Sequence, residues 1–91
     1  MNKKELFEKN LVLTTEFSRY VLEHPEIAKR IPKDALIVIL PEYDGKLAKE
    51  NLKMAKAKRE KNQTMVLVRV KKLAPIRKSR LVNPTVELMS A

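Results

Sequence analysis

Two pairs of carboxylates stand close enough in the chain to share acid–base work, Glu42 with Asp44 and Glu23 with Glu26. That chemistry needs one carboxyl kept protonated by burial or by a like charge while its neighbour stays ionised. Both pairs fall in turns or at solvated helix ends, where water screens them, so they read as surface charges and caps. His24 is the single histidine. As a general base it would need a nucleophile, yet no Ser stands in a nucleophile-elbow context, and a helix-terminal imidazole satisfied by the helix dipole is the commoner use of such a residue. Cysteine is absent, which excludes disulfides and thiolate-bound metals or clusters, and one histidine cannot build a metal cluster. The sequence therefore predicts no catalytic residue, no metal site and no cofactor.

Position singles out a loop. Glu42, Tyr43, Asp44 and Gly45 follow an apolar run and precede a helical one, which places them at the carboxyl end of a strand and at a helix N-terminus, where open α/β folds bind ligands. The chemistry is weaker than the position. One glycine is not a phosphate cradle, and Glu42 and Asp44 would repel an anion. Asp44 serves equally as an N-cap, and Tyr43 as a lid, a partner contact or a cover for the strand end.

Charge gives a second candidate, for an acidic partner. Residues 1–45 hold 7 Lys/Arg against 8 Asp/Glu and residues 46–91 hold 13 against 3, so the net charge of +9 lies wholly in the second half. Lys46, Lys49, Lys53 and Lys56 fall within about a quarter turn at 100° per residue, forming one helical stripe. Arg77, Lys78 and Arg80 add to it downstream. Such a surface suits nucleic acid or an acidic protein, and it also suits plain solvation. Phe7, Phe17, Tyr20 and Tyr43 all lie outside the basic segments, so stacking platforms for single strands are missing. No KH-type loop, aromatic RNP strand or helix-turn-helix is visible.

The elements that carry these residues follow from periodicity. Leu6, Leu13, Phe17 and Tyr20 recur at helical spacing over residues 3–22, with Asn10, Thr14 and Val21 on the same side and Glu8, Glu16, Arg19 and Glu23 opposite. His24 ends this helix because the residue before a proline is pushed out of the helical region. Pro25 opens a short turn of helix through Arg30, and Ile31-Pro32 closes it. After a turn at Lys33-Asp34, the run Ala35–Leu40 is continuously apolar up to Pro41, the pattern of a strand buried on both faces. A helix is expected from Gly45 to about Asn62, with Leu47, Ala48, Leu52, Met54 and Ala55 on one arc. Thr64–Lys71 alternates, Val66, Val68 and Val70 against Met65, Leu67 and Arg69, as a second strand does.

A connection of that length containing one helix predicts an α/β fold whose two strands are parallel in a right-handed crossover unit. A chain of 91 residues with 44% apolar and 34% charged residues suits one small globular domain. Residues 1–73 are expected to form it. Residues 74–91 are a basic, proline-containing tail that adds an edge strand, docks on a partner subunit or stays loose. Two strands leave open edges and a marginal core, which predicts a homo-oligomer, most simply a two-fold dimer. The opening residues lack the apolar stretch of a signal peptide, and no run approaches the roughly 18 apolar residues of a membrane span. The expectation is a cytoplasmic protein with no membrane partner.

The run Leu22-Glu23-His24-Pro25-Glu26-Ile27-Ala28-Lys29-Arg30-Ile31-Pro32, followed by Ala35–Leu40 and Pro41-Glu42, resembles a family of small prokaryotic proteins known only as a domain of unknown function. The resemblance covers about residues 3–72. It implies a bacterial or archaeal cytoplasmic source, and its motifs are structural, so it brings no catalytic or binding residue. The function expected from the residues is a non-catalytic binding or assembly module acting through protein–protein contacts. Nucleic-acid binding of weak sequence preference is the alternative, and a small enzyme using the 41–45 loop comes last.

Overall fold

The computed structural model describes residues 1–76 and 79–90; Arg77, Lys78 and Ala91 lie outside the described residues. Helix α1 spans Lys3–Glu23, and the Asn2 side chain caps it by accepting from the Glu5 amide at 2.8 Å. It stops at His24, whose φ of −129° and ψ of 73° lie outside the helical region, which a following proline disfavours. Helix α2, Pro25–Arg30, has its proline in the first turn with Glu26, and Lys29 and Arg30 in the last, each charge favoured by the helix dipole. Asp34 turns the chain at a φ of 62°, and strand β1 runs Leu36–Pro41. Helix α3 is Gly45–Lys58 and strand β2 is Met65–Val70.

The strands are parallel, in register from Leu36 opposite Met65 to Pro41 opposite Val70, and α3 makes the crossover. The expected α/β architecture is therefore the one observed. The third helix ends four residues earlier than its sequence suggests. Asn62 sits at a φ of 64°, a left-handed conformation that Asn tolerates and a helix does not. Around it, the Gln63 amide donates to the Glu60 carbonyl at 3.0 Å, and the Glu60 amide donates to the Gln63 side chain at 3.0 Å. Gln63 Nε2 also donates to the Asp34 carbonyl at 2.9 Å, tying together the turns that precede the two strands.

Leu36, Val38 and Leu40 of β1 and Met65 of β2 pack against Ala48, Leu52 and Ala55 of α3, the last three on the arc that periodicity assigns to the core. The opposite face of β1 is less covered than a continuous apolar run implies: Pro41 is buried, Ile39 half-buried and Ile37 40% exposed. The cause is the placement of α1, which meets the body through Leu13, 3% exposed, and does not lie flat along the sheet. Both edges of the sheet are open. The amides of Leu36 and Glu42 bond toward β2, so by the alternation of a strand Ile37, Ile39 and Pro41 present their backbone groups outward. On β2 the outward set is Met65, Leu67 and Arg69.

The tail forms no strand or helix among its described residues, all of which are exposed. The Cα radius of gyration is 18.2 Å and the longest dimension 63 Å, against about 12 Å for the radius of a compact domain of this length. The tail accounts for the excess. Its apolar residues Ile76, Leu88 and Met89 are each 97% exposed.

Candidate functional site

The uncovered face of the sheet is the floor of a groove of about 620 Å³. Val66, Val68 and Val70 of β2 and Ile39 of β1 form the floor; Leu13, Phe17 and Tyr20 of α1, Ile27 of α2 and Ile31 just after it form the wall. Each side chain is there for a local reason. The Val row is one side of an alternating strand, and the break at His24-Pro25 redirects the chain so that Ile27 of α2 and Ile31 at its end join the wall. Arg30, Arg69, Lys71 and Lys72 lie along the rim, with Glu16, which is held by Arg19 at 3.4 Å. Such a lining recognises apolar side chains and has no convergent polar groups for chemistry.

A second groove, about 320 Å³, runs beside the outer edge of β1 between Asn10, Thr14, Met54 and Lys58. At its base lies the polar joint that fixes α1. Asn10 and Asn51 exchange amide hydrogen bonds, both 2.9 Å, and Asn51 Nδ2 also donates to the Ile39 carbonyl at 2.8 Å. Asn51 is 8% exposed, and its three bonds satisfy it where burial alone would be costly. This joint is absent from the sequence-based picture. The signal for it is that Asn51 lies at the centre of the arc of Leu47, Ala48, Leu52 and Ala55, as Asn10 lies between Leu6 and Leu13.

The loop residues Glu42, Tyr43, Asp44 and Gly45 are at the carboxyl end of β1 and the start of α3, as expected, and the Asp44 carboxylate is already engaged. Asp44 accepts from the Leu47 amide at 3.2 Å as the N-cap, and its other oxygen meets Lys9 Nζ at 3.0 Å; Lys9 also reaches Glu5 at 3.3 Å. The Lys9 hydrogen bond, followed by the Leu47 amide, holds the Asp44 carboxyl below the ordinary range. Asp44 and then Glu5 hold the Lys9 ammonium above it. Partial burial, followed by the Asp44 charge, raises the Tyr43 phenol. The Glu42 amide donates to Val70 at 2.8 Å. An added Cβ at Gly45 meets nothing within 4 Å, and its φ is not positive, so the glycine is not required by the backbone. Neither groove includes these four residues.

Lys46, Lys49, Lys53 and Lys56 are all exposed on one side of α3, away from the sheet, and none of the ion pairs among the described residues involves them. Arg80 is exposed in the tail, while Arg77 and Lys78 fall outside the described residues. His24 stacks on Tyr20 with ring centroids 4.0 Å apart and Nδ1 2.9 Å from the Tyr20 carbonyl. A carbonyl only accepts, so Nδ1 carries the proton, and the imidazole closes the end of α1.

Among the described residues no helix is long and apolar enough to cross a membrane, and no group of three or more His, Asp or Glu could hold a metal ion. No curated protein and no solved structure matches the chain. Residues 5–83 match the model of a family of unknown function, DUF5647, a span that takes in all the described helices and strands but the first two residues of α1, and the chain belongs to that family.

Proposed function

We propose that this protein is a non-catalytic binding or assembly module that works through protein–protein contacts, and that two copies pair as a homodimer. The observation that carries the reading is the apolar groove of about 620 Å³ on the open sheet face, beside a β2 edge with unpaired backbone groups. A small chain with a thin core lowers its free energy by covering both. A chain without cysteine fits a reducing prokaryotic cytoplasm. Light scattering coupled to size exclusion at micromolar concentration tests the pairing. The expected mass is twice the 10.5 kDa of one chain, and a folded monomer overturns it.

The exposed, unpaired lysine stripe of α3 supports a second reading, nucleic-acid binding of weak sequence preference. Phosphate contacts through Lys46, Lys49, Lys53 and Lys56 with the tail cations Arg77, Lys78 and Arg80 require a log–log salt slope of roughly −4 or steeper on duplex DNA. K49Q/K53Q/K56Q should keep the fold and flatten the slope. Absence of binding to duplex and single strands at low ionic strength ends this reading.

A further inference from the structure

We propose that the occupant of the groove is the tail of a second copy of this chain. Residues Pro84–Ser90 would add as an antiparallel strand to the outer edge of β2, and the two copies would exchange tails reciprocally. This rests on the assembly reading above and names its partner.

Three observations point to that segment. First, it is apolar and unburied: Val86 is 90% exposed and Leu88 and Met89 97%, although an apolar groove lies on the same molecule. Pro75, five residues past the end of β2, removes an amide, so the β2 ladder does not continue into the tail. Second, the pattern of the segment matches the edge. Val86, Glu87 and Leu88 alternate, and an added strand must alternate with β2. With Glu87 opposite Arg69, Val86 lies beside Val70 and Leu88 beside Val68 on the groove face, lengthening the apolar floor. Met89 then falls beside Leu67, which is 44% exposed on the α3 side of the sheet. Third, the charges complement. Glu87 is the one acidic residue after Glu60, and in this register it stands on the α3 side of the sheet opposite Arg69, on a strand that leads into Lys71 and Lys72. The basic part of the tail, by contrast, would be repelled there, which selects Pro84–Ser90 over the stretch around Arg80. Reciprocal exchange doubles the buried surface toward the roughly 1,200 Å² at which a specific interface becomes stable.

The test uses the full chain. V86D/L88D places two charges at positions exposed in the single chain, so the helical circular dichroism signal should be unchanged while light scattering at micromolar concentration reports a monomer. Charge reversal adds a readout that a folding defect cannot mimic. E87R or R69E alone should weaken the dimer about tenfold, since two symmetric pairs become repulsive, and R69E/E87R should recover it. A dimer that survives V86D/L88D, or single reversals that the double variant does not rescue, overturns tail exchange while leaving assembly intact. A wild-type monomer overturns both.

Discussion

Replacing Asn51 with alanine removes three hydrogen bonds at once: two to Asn10, both 2.9 Å, and one of 2.8 Å to the Ile39 carbonyl. A typical intramolecular hydrogen bond contributes about 1 kcal/mol net, and an orphaned buried partner costs more. Three bonds suggest about 3 kcal/mol, but the adjoining groove of about 320 Å³ lets water reach Asn10 and Ile39, which lowers the expected loss to about 2 kcal/mol. Against a total of roughly 5 to 14 kcal/mol for a chain of this size, that is a large share. It should appear in a thermal melt followed by circular dichroism as a Tm lowered by about 10 °C. Asn10→Ala should cost less, because Asn51 keeps its bond to Ile39. The double variant should cost less than the two singles added, by about 1 kcal/mol. If Asn51→Ala costs under about 0.5 kcal/mol, or the two changes add without coupling, the amide pair is not what holds α1 to the body.

Gly45→Ala should stabilise the protein by about 0.4 to 1 kcal/mol in urea unfolding, since the site is helical with open space around it and alanine narrows the unfolded ensemble. A loss instead would mean the glycine is needed by the loop. The Asp44–Lys9 pair sets a pH window. Asp44 is lowered from 3.8, so its contribution is present above that value and lost as pH falls through the lower folded one. Lys9 is raised from 10.5, so its contribution is present below that value and lost as pH rises through the higher folded one. Lys9→Met should lower Tm between these limits, and its curve should converge with that of the wild type at both extremes. A gap that persists in acid assigns the effect to packing of the lysine stem.

The element order was legible because its boundaries have local causes: Asp44 caps, Pro25 and Pro32 break, and the length of the α3 connection makes the strands parallel. What was not legible is set by pairs distant in sequence. Asn62 reads as one more polar residue of a helix until its turn is held by Gln63 reaching Asp34. Asn10 and Asn51 look like flaws in two apolar arcs until the arcs face each other. The apolar run Ala35–Leu40 implied cover on both faces, but how far α1 lies from the sheet depends on that same amide joint, and so the groove is invisible in either segment alone. The loop Glu42–Gly45 was placed correctly by topology. That its carboxylate is occupied by Lys9 depends on a residue from another helix.

The two edges of the sheet are not equivalent. On β1, Pro41 has no amide to donate and the Ile39 carbonyl is held by Asn51, so a strand arriving there finds an interrupted ladder. On β2 the backbone groups of Met65, Leu67 and Arg69 are free in unbroken alternation. A molecule with two adhesive edges links head to tail into fibres of unlimited length, whereas a molecule with one is used up by a single junction. The asparagine that anchors α1 therefore also acts as a chain terminator, limiting sheet growth in this protein to one side.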